Sequence, residues 1–270
     1  MLEIFTIVLN GMPFIKEHLA IFSRLGIPWR WHVVEGVASP TKDTAWCQPV
    51  LDSDHHNWLS VDGTSEYLDS IASDKVRVYR RVGPWPGKVE MCNAPLRFIP
   101  AGSILHEMDV DEFWSHRQLE AVHALFEQGA GRATYDCDYY LGPDVHVITR
   151  TMPANGLDFV WRRTHRITGK PWQAHEPPVI EFQGRDVGWQ ELNALGLVFK
   201  HFSYSTEAQV RFKENYYRCA GALDQWRCLQ MNGMWPINPG QYLGWVNPLH
   251  GALVDKTEHF KSVIHRMQTL

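Results

Sequence analysis

The chain has 270 residues, 44% of them hydrophobic and 21% charged, with a formal net charge of −4. That length can bury a sizeable core, and the composition is that of a soluble globular protein. With no basic excess there is no case for non-specific nucleic-acid binding, and no apolar run is long enough to span a bilayer. The five cysteines (47, 92, 137, 219 and 228) are scattered without Cys-x-x-Cys pairs, which points to reduced thiols in the cytoplasm. Met1–Thr6 begins directly with a strand-like pattern and carries no basic leader, so no signal peptide is expected.

Ile4–Leu9 is a continuous apolar run rich in β-branched residues, the pattern of a buried parallel strand. It breaks at Asn10-Gly11. Ile15, Leu19, Phe22 and Leu25 then repeat at helical spacing, with Gly26 placed to end the helix. Trp31–Val34 reads as a second strand ending at Glu35-Gly36, which completes a β-α-β unit. Residues 38–63 are polar and read as a long loop. Thr64 or Ser65 is placed to cap a helix carrying Tyr67, Leu68 and Ile71, before a third strand at Val76–Tyr79. A Gly-Pro turn at 83–87 leads into a helix from Lys88.

The next strand, over 103–108, runs into Asp109, Asp111 and Glu112 and then Phe113-Trp114. Strand side chains alternate, so Asp109 and Asp111 are expected on one face at the strand's end. Two hard oxygen ligands there suit Mg²⁺ or Mn²⁺, and ligands of open α/β sheets sit beyond the carboxyl ends of strands. Taken alone, Asp-x-Asp fits a polar turn ahead of a helix equally well. Ser115–Gln118 is a capping box for a helix closed by Gly129.

The second half is less regular. Ala133–Tyr140 and Val145–Thr149 read as strands, antiparallel around Gly142-Pro143, with further strands at Val179–Phe182 and Leu197–Phe199. From Thr206 a long helix is predicted, with Phe212, Tyr216, Cys219, Leu223 and Trp226 on one face, followed by a Gly/Pro/Asn-rich surface stretch over 232–251. The expected fold class is α/β: a mostly parallel, Rossmann-like sheet flanked by helices, in one domain with an irregular C-terminal part. Among 12 tryptophans, Trp46, Trp85, Trp114, Trp172 and Trp189 lie near loop-forming residues, where flat faces suit a ring-shaped ligand.

Several motifs in this order resemble the GT-A glycosyltransferases, especially the inverting family-two type. They are the N-terminal β-α-β, the Lys88-x₄-Asn93 helix, and the strand ending in Asp109-Val110-Asp111-Glu112. Trp161-Arg162-Arg163 through His175-Glu176-Pro177 and Lys200-His201-Phe202-Ser203-Tyr204 continue the series. The resemblance covers roughly residues 4–220 and implies a nucleotide-sugar-binding half at 1–130 and an acceptor-side half at 131–270. It implies that Asp111 binds Mn²⁺ or Mg²⁺ directly, that Asp109 contacts the ribose or the ion through water, and that His201 adds a third metal contact. It also implies a general base at Glu176, on a loop stiffened by prolines, with Asp136, Asp138 and Asp158 as alternatives. Thr6, Asn10, Gly11, Glu35, Lys88, Asn93 and Val110 would line the donor, most plainly a UDP-type sugar. Asp136, Asp138, Trp172, His175 and Tyr204, with Trp189 and Trp235, would face a glycan or glycoconjugate acceptor. Two rivals stand beside this reading. A sugar nucleotidyltransferase would need a Gly-rich phosphate loop where Asn10–Pro13 stands, and a carbohydrate-binding protein leaves the acidic strand end unexplained.

Overall fold

The computed structural model describes residues 1–142, 145–149, 161–176, 178–243 and 255–256. Its elements, in chain order, are β1 (Leu2–Val8), α1 (Ile15–Phe22), β2 (Trp29–Glu35), α2 (Thr64–Ile71), β3 (Val76–Tyr79), α3 (Lys88–Leu96), β4 (Ile104–Glu107) and β5 (Glu112–Phe113). There follow α4 (His116–Glu127), β6 (Ala130–Tyr135), β7 (Cys137–Tyr140), β8 (Val145–Thr149), β9 (Trp161–Arg166), β10 (Arg185–Val187) and α5 (Trp189–Ala194). The last are β11 (Phe199–His201), α6 (Glu207–Tyr216), α7 (Ala222–Gln230) and β12 (Asp255–Lys256). They fall into two compact units: Met1–Tyr135 with Trp161–Leu197, and Asp136–Val160 with Val198–Leu270. Among the described residues, no helix is long and apolar enough to cross a membrane.

The first unit is an α/β layer built on a seven-stranded sheet of order β10-β6-β9-β4-β1-β2-β3. β1 is parallel to both β2 and β4, and β2 is parallel to β3, as the apolar runs predict. β9 then enters antiparallel between β4 and β6, so the sheet is mixed beyond β4. After β1 the chain builds outward to β2 and β3, then returns to lay β4 on the other side of β1. The carboxyl ends of β1 and β4 therefore flank a point where the winding direction reverses, the place where such sheets leave a crevice for a ligand.

Each predicted element of the first 130 residues forms. Ser115 caps α4 with both halves of the capping box: its Oγ accepts from Gln118 N at 3.2 Å, and its own N donates to Gln118 Oε1 at 2.9 Å. α2 differs in detail. Gly63 is its N-cap residue, and Thr64 is buried with its Oγ1 accepting from Gly11 N at 2.8 Å.

The second unit is built around β7, antiparallel to β8 and parallel to β11, with β12 antiparallel on β8. The expected antiparallel pairing with Val145–Thr149 forms through β7, but the expected single strand Ala133–Tyr140 is two strands, β6 and β7, in different sheets. The single long helix does not form: the chain breaks it into α6 and α7, with Arg218 (φ 59°) and Gly221 (φ 79°) in left-handed backbone that a right-handed helix cannot contain. Val179–Phe182 also forms no strand, contributing only isolated bridges from Phe182 to Ile167 and from Val179 to Ala174. β10 and α5 carry too short a pattern to be read in advance. Part of the 232–251 stretch lies outside the described residues.

Gly11 fixes how closely the end of β1 approaches the acidic turn. A Cβ there would lie 2.6 Å from Val8 Cγ2 and 2.9 Å from Val110 Cγ2, closer than real contacts allow. Gly11→Ala is expected to cost about 1–3 kcal/mol, read as a lower midpoint in urea unfolding.

Candidate active site

β4 ends at Glu107, one residue before the end that the sequence pattern implies. Asp109 and Asp111 therefore lie in a turn, and strand alternation does not set their direction. The turn is closed by Glu112 N donating to Asp109 O at 3.0 Å and by Asp109 N donating to Glu112 Oε2 at 3.3 Å. It is anchored from α1, where the buried His18 ring lies 2.8 Å through Nε2 from Val110 O. Burial lowers the pKa of His18 to about 4, against the pull of that hydrogen bond and of Asp111, so the ring is neutral and donates. Val110 gives its carbonyl to His18 and packs its methyl against Gly11.

Beneath the turn sits a buried arginine. Arg163, from β9, is 5% exposed and pairs with Glu107 at 3.3 Å, with Asp109 at 2.6 Å and closely with Glu112. Burial pulls its pKa down, but Asp109, Glu112 and Glu107 outweigh it and hold the pKa well above the ordinary value. Burial pushes Glu112 well up; Arg163 opposes this, while Asp109 and Asp111 add to it.

The ion chain continues away from β4. His175 Nε2 lies 2.9 Å from Glu107 Oε1, and its Nδ1 lies 3.5 Å from Glu176 Oε1. Burial would lower this histidine, but Glu107 and then Glu176 outweigh it and raise the pKa to about 9, so the ring is an imidazolium at neutral pH. Glu176, 42% exposed, also accepts from Lys88 Nζ at the start of α3. Partial burial favours its neutral form, but Lys88 and His175 together hold its carboxyl far below the usual range. Counted along the chain, Glu107, Asp109, Asp111, Glu112 and Glu176 face Arg163, Lys88 and protonated His175. Five carboxyl groups thus outnumber three cations, and hard oxygen donors in such a surplus fit a divalent cation.

No protein-family model matches the chain, and no curated protein matches it. Among solved structures it is similar to residues 1–349 of S. aureus TarS in complex with UDP-GlcNAc, at 15% identity and a TM-score of 0.38, over 57% of this chain and 37% of that one. It is also similar to the mannosyltransferase PcManGT from Pyrobaculum calidifontis in complex with GDP-Man and Mn²⁺, at 13% identity and a TM-score of 0.46, over 93% of this chain and 70% of that one. A third similarity is to 4-diphosphocytidyl-2C-methyl-D-erythritol synthase, at 14% identity and a TM-score of 0.33, over 62% of this chain and 75% of that one. The chain thus spans well under half the length of the TarS fragment.

Several residues expected to touch a donor are taken up inside the protein. Thr6 is buried, with its Oγ1 accepting from Trp31 Nε1 at 3.0 Å. Glu35 is fully buried and accepts from Ser60 N at 3.2 Å, Ser65 Oγ at 2.5 Å and Arg80 Nε at 2.6 Å, so it anchors the 38–63 loop from within. Asn10 does the same from β1, donating through Nδ2 to Asp54 O at 2.7 Å and accepting from Val61 N at 2.8 Å. Asn93 brackets Trp172, accepting from its N at 2.8 Å, and so ties α3 to the segment carrying His175 and Glu176.

The tryptophan expectation fails for three of the five. Trp85, Trp114 and Trp172 are core residues, Trp114 set edge-on between His106 and Tyr135 and Trp172 packed by Phe5 and His165. Trp172 therefore has no face to offer an acceptor. Trp46 is exposed and Trp189 half-buried. In the second unit His201 is buried at the end of β11, edge-on to Tyr139 at 5.3 Å, and Tyr204 has Lys213 Nζ 4.2 Å over its ring. Asp136 is buried, Asp138 is half-buried on β7, Trp235 is half-buried, and Asp158 lies outside the described residues. Sequence reasoning gave no role to Glu107, Arg163 or His18. An arginine in a β-strand two residues after a tryptophan is the only signal, and it acquires meaning once β9 is known to lie beside β4.

The His175 imidazolium makes a pH prediction. Its folded pKa is above the unfolded value, so its contribution is complete below about pH 6.5 and is lost as pH rises through 9, amounting to roughly 3 kcal/mol at most. In urea unfolding the stability gap between wild type and His175→Gln should shrink over that interval. A gap that does not change with pH would refute the ion pair.

Proposed function

We propose that the chain is a metal-dependent, inverting glycosyltransferase of the GT-A type, moving a sugar from a nucleotide diphosphate to a hydroxyl of a glycan or glycoconjugate. The observation that carries it is the acidic turn at the β1/β4 reversal point, with its surplus of carboxylates over cations. Asp109 and Asp111 would hold Mn²⁺ or Mg²⁺, with His201 as the further ligand that the family resemblance assigns. A bound divalent ion would supply charge neutralisation for the departing diphosphate.

The chain's own groups do the rest. Arg163 keeps Asp109 and Glu112 oriented at the turn from below, so the ligand geometry precedes the ion. Lys88 offers a point cation to the diphosphate. Glu176 is ionised and faces solvent, so it is able to accept the proton of an attacking hydroxyl, and a base on the acceptor side fits direct displacement with inversion. A cytoplasmic location accords with five free cysteines.

The test is nucleotide release from a sugar-nucleotide panel beginning with UDP-GlcNAc and GDP-mannose, with Mn²⁺ and with chelator. Chelator should abolish release. Asp111→Ala should reduce turnover at least about a hundredfold and remove Mn²⁺-dependent donor binding, and His201→Ala should weaken Mn²⁺ binding. Glu176→Gln should lose transfer to a similar degree and still bind nucleotide. Pyrophosphate as product would instead indicate nucleotidyl transfer, and the anomeric configuration of the product by NMR decides inversion.

A further inference from the structure

Lys88 opens α3, and Glu176 stands on the turn between Ala174 and Val179, 88 positions away along the chain. Their pairing is built in from both sides. Asn93, on the same helix as Lys88, holds the backbone of Trp172 through contacts of 2.8 and 3.4 Å. His175, held by Glu107 at 2.9 Å, fixes the other side. The cations are the seated members of this group: Lys88 is 17% exposed and His175 8%, while Glu176 is 42% exposed. A carboxylate thus rests on top of a lysine ammonium and an imidazolium, both supplied by the first unit. That is the coordination a phosphate oxygen receives in an anion site.

Resting on the nucleotide-sugar reading, we propose that Glu176 occupies the anion position on Lys88 that a donor phosphate takes, and that the incoming diphosphate displaces it. A diphosphate carries more charge than a carboxylate and more acceptor oxygens, so it wins the ammonium once the rest of the nucleotide is bound. Glu176, relieved of the field that keeps it acidic, then gains proton affinity when an acceptor hydroxyl needs a base. Donor binding and activation of the base become one event. The cost is a nucleotide affinity lower than the site would otherwise give, because an internal competitor must leave.

Calorimetric titration of UDP and of GDP, each with Mn²⁺, into wild type, Glu176→Gln, Lys88→Ala and the double variant tests this, with thermal melting to confirm that each is folded. Glu176→Gln should tighten binding about tenfold, Lys88→Ala should weaken it about tenfold, and the double variant should match Lys88→Ala. Glu176→Ala should tighten binding as Glu176→Gln does, whatever hydrogen bond a glutamine retains. Unchanged or weaker binding in both Glu176 variants overturns the proposal, as does a double variant that tightens by the same factor as Glu176→Gln alone. If neither nucleotide binds wild type or any variant at millimolar concentration, the nucleotide-sugar reading falls, and this inference with it. Binding that ignores position 176 removes the inference alone.

Discussion

A guanidinium buried among carboxylates is the constraint on which the first unit's functional end depends. Arg163 is buried, and Glu107, Asp109 and Glu112 would repel one another without it. Each side makes the other's burial tolerable. The arrangement also fixes three acidic side chains before any cation arrives, because the arginine's planar fork accepts only certain carboxylate directions. β9 brings it there by running antiparallel beside β4, and that strand order is therefore part of the site.

The rest of the end of the sheet is organised by the same logic of satisfied polar groups. Asn10 and Glu35 look like ligand contacts in a one-dimensional reading because they end strands. In three dimensions they are the inner anchors of the long polar loop, whose backbone would otherwise lack partners. Neutral His18 performs a comparable task for the acidic turn, at a position where a charged ring would be costly.

The chain of ions from Arg163 to Lys88 links an acidic turn on the sheet to a half-exposed carboxylate on a loop. Charges in such a chain are not independent: the state of Glu176 depends on His175, and His175 depends on Glu107. A ligand that takes one cation therefore alters the proton affinity of groups beyond its contacts. This coupling is what makes the carboxylate surplus a chemical resource as well as a structural burden.

The sequence by itself determined the parallel strands β1 to β4 and their helices, because apolar runs, caps and turn glycines are local signals, and it placed the acidic turn at a strand's end. It singled out Lys88 for the donor, Glu176 as the base and His175 for the acceptor side, and only the fold joins the three in one ion chain. It did not determine the break between α6 and α7, since two left-handed residues outweigh a continuous helical stripe. Nor did it distinguish core tryptophans from loop ones, since burial is a property of what packs on the ring. The partnership of Arg163 with Glu107, Asp109 and Glu112 was decided only by the tertiary structure. Strand neighbours in a mixed sheet are set by long-range pairing, and no local pattern of residues 161–166 says which carboxylates will lie across from them.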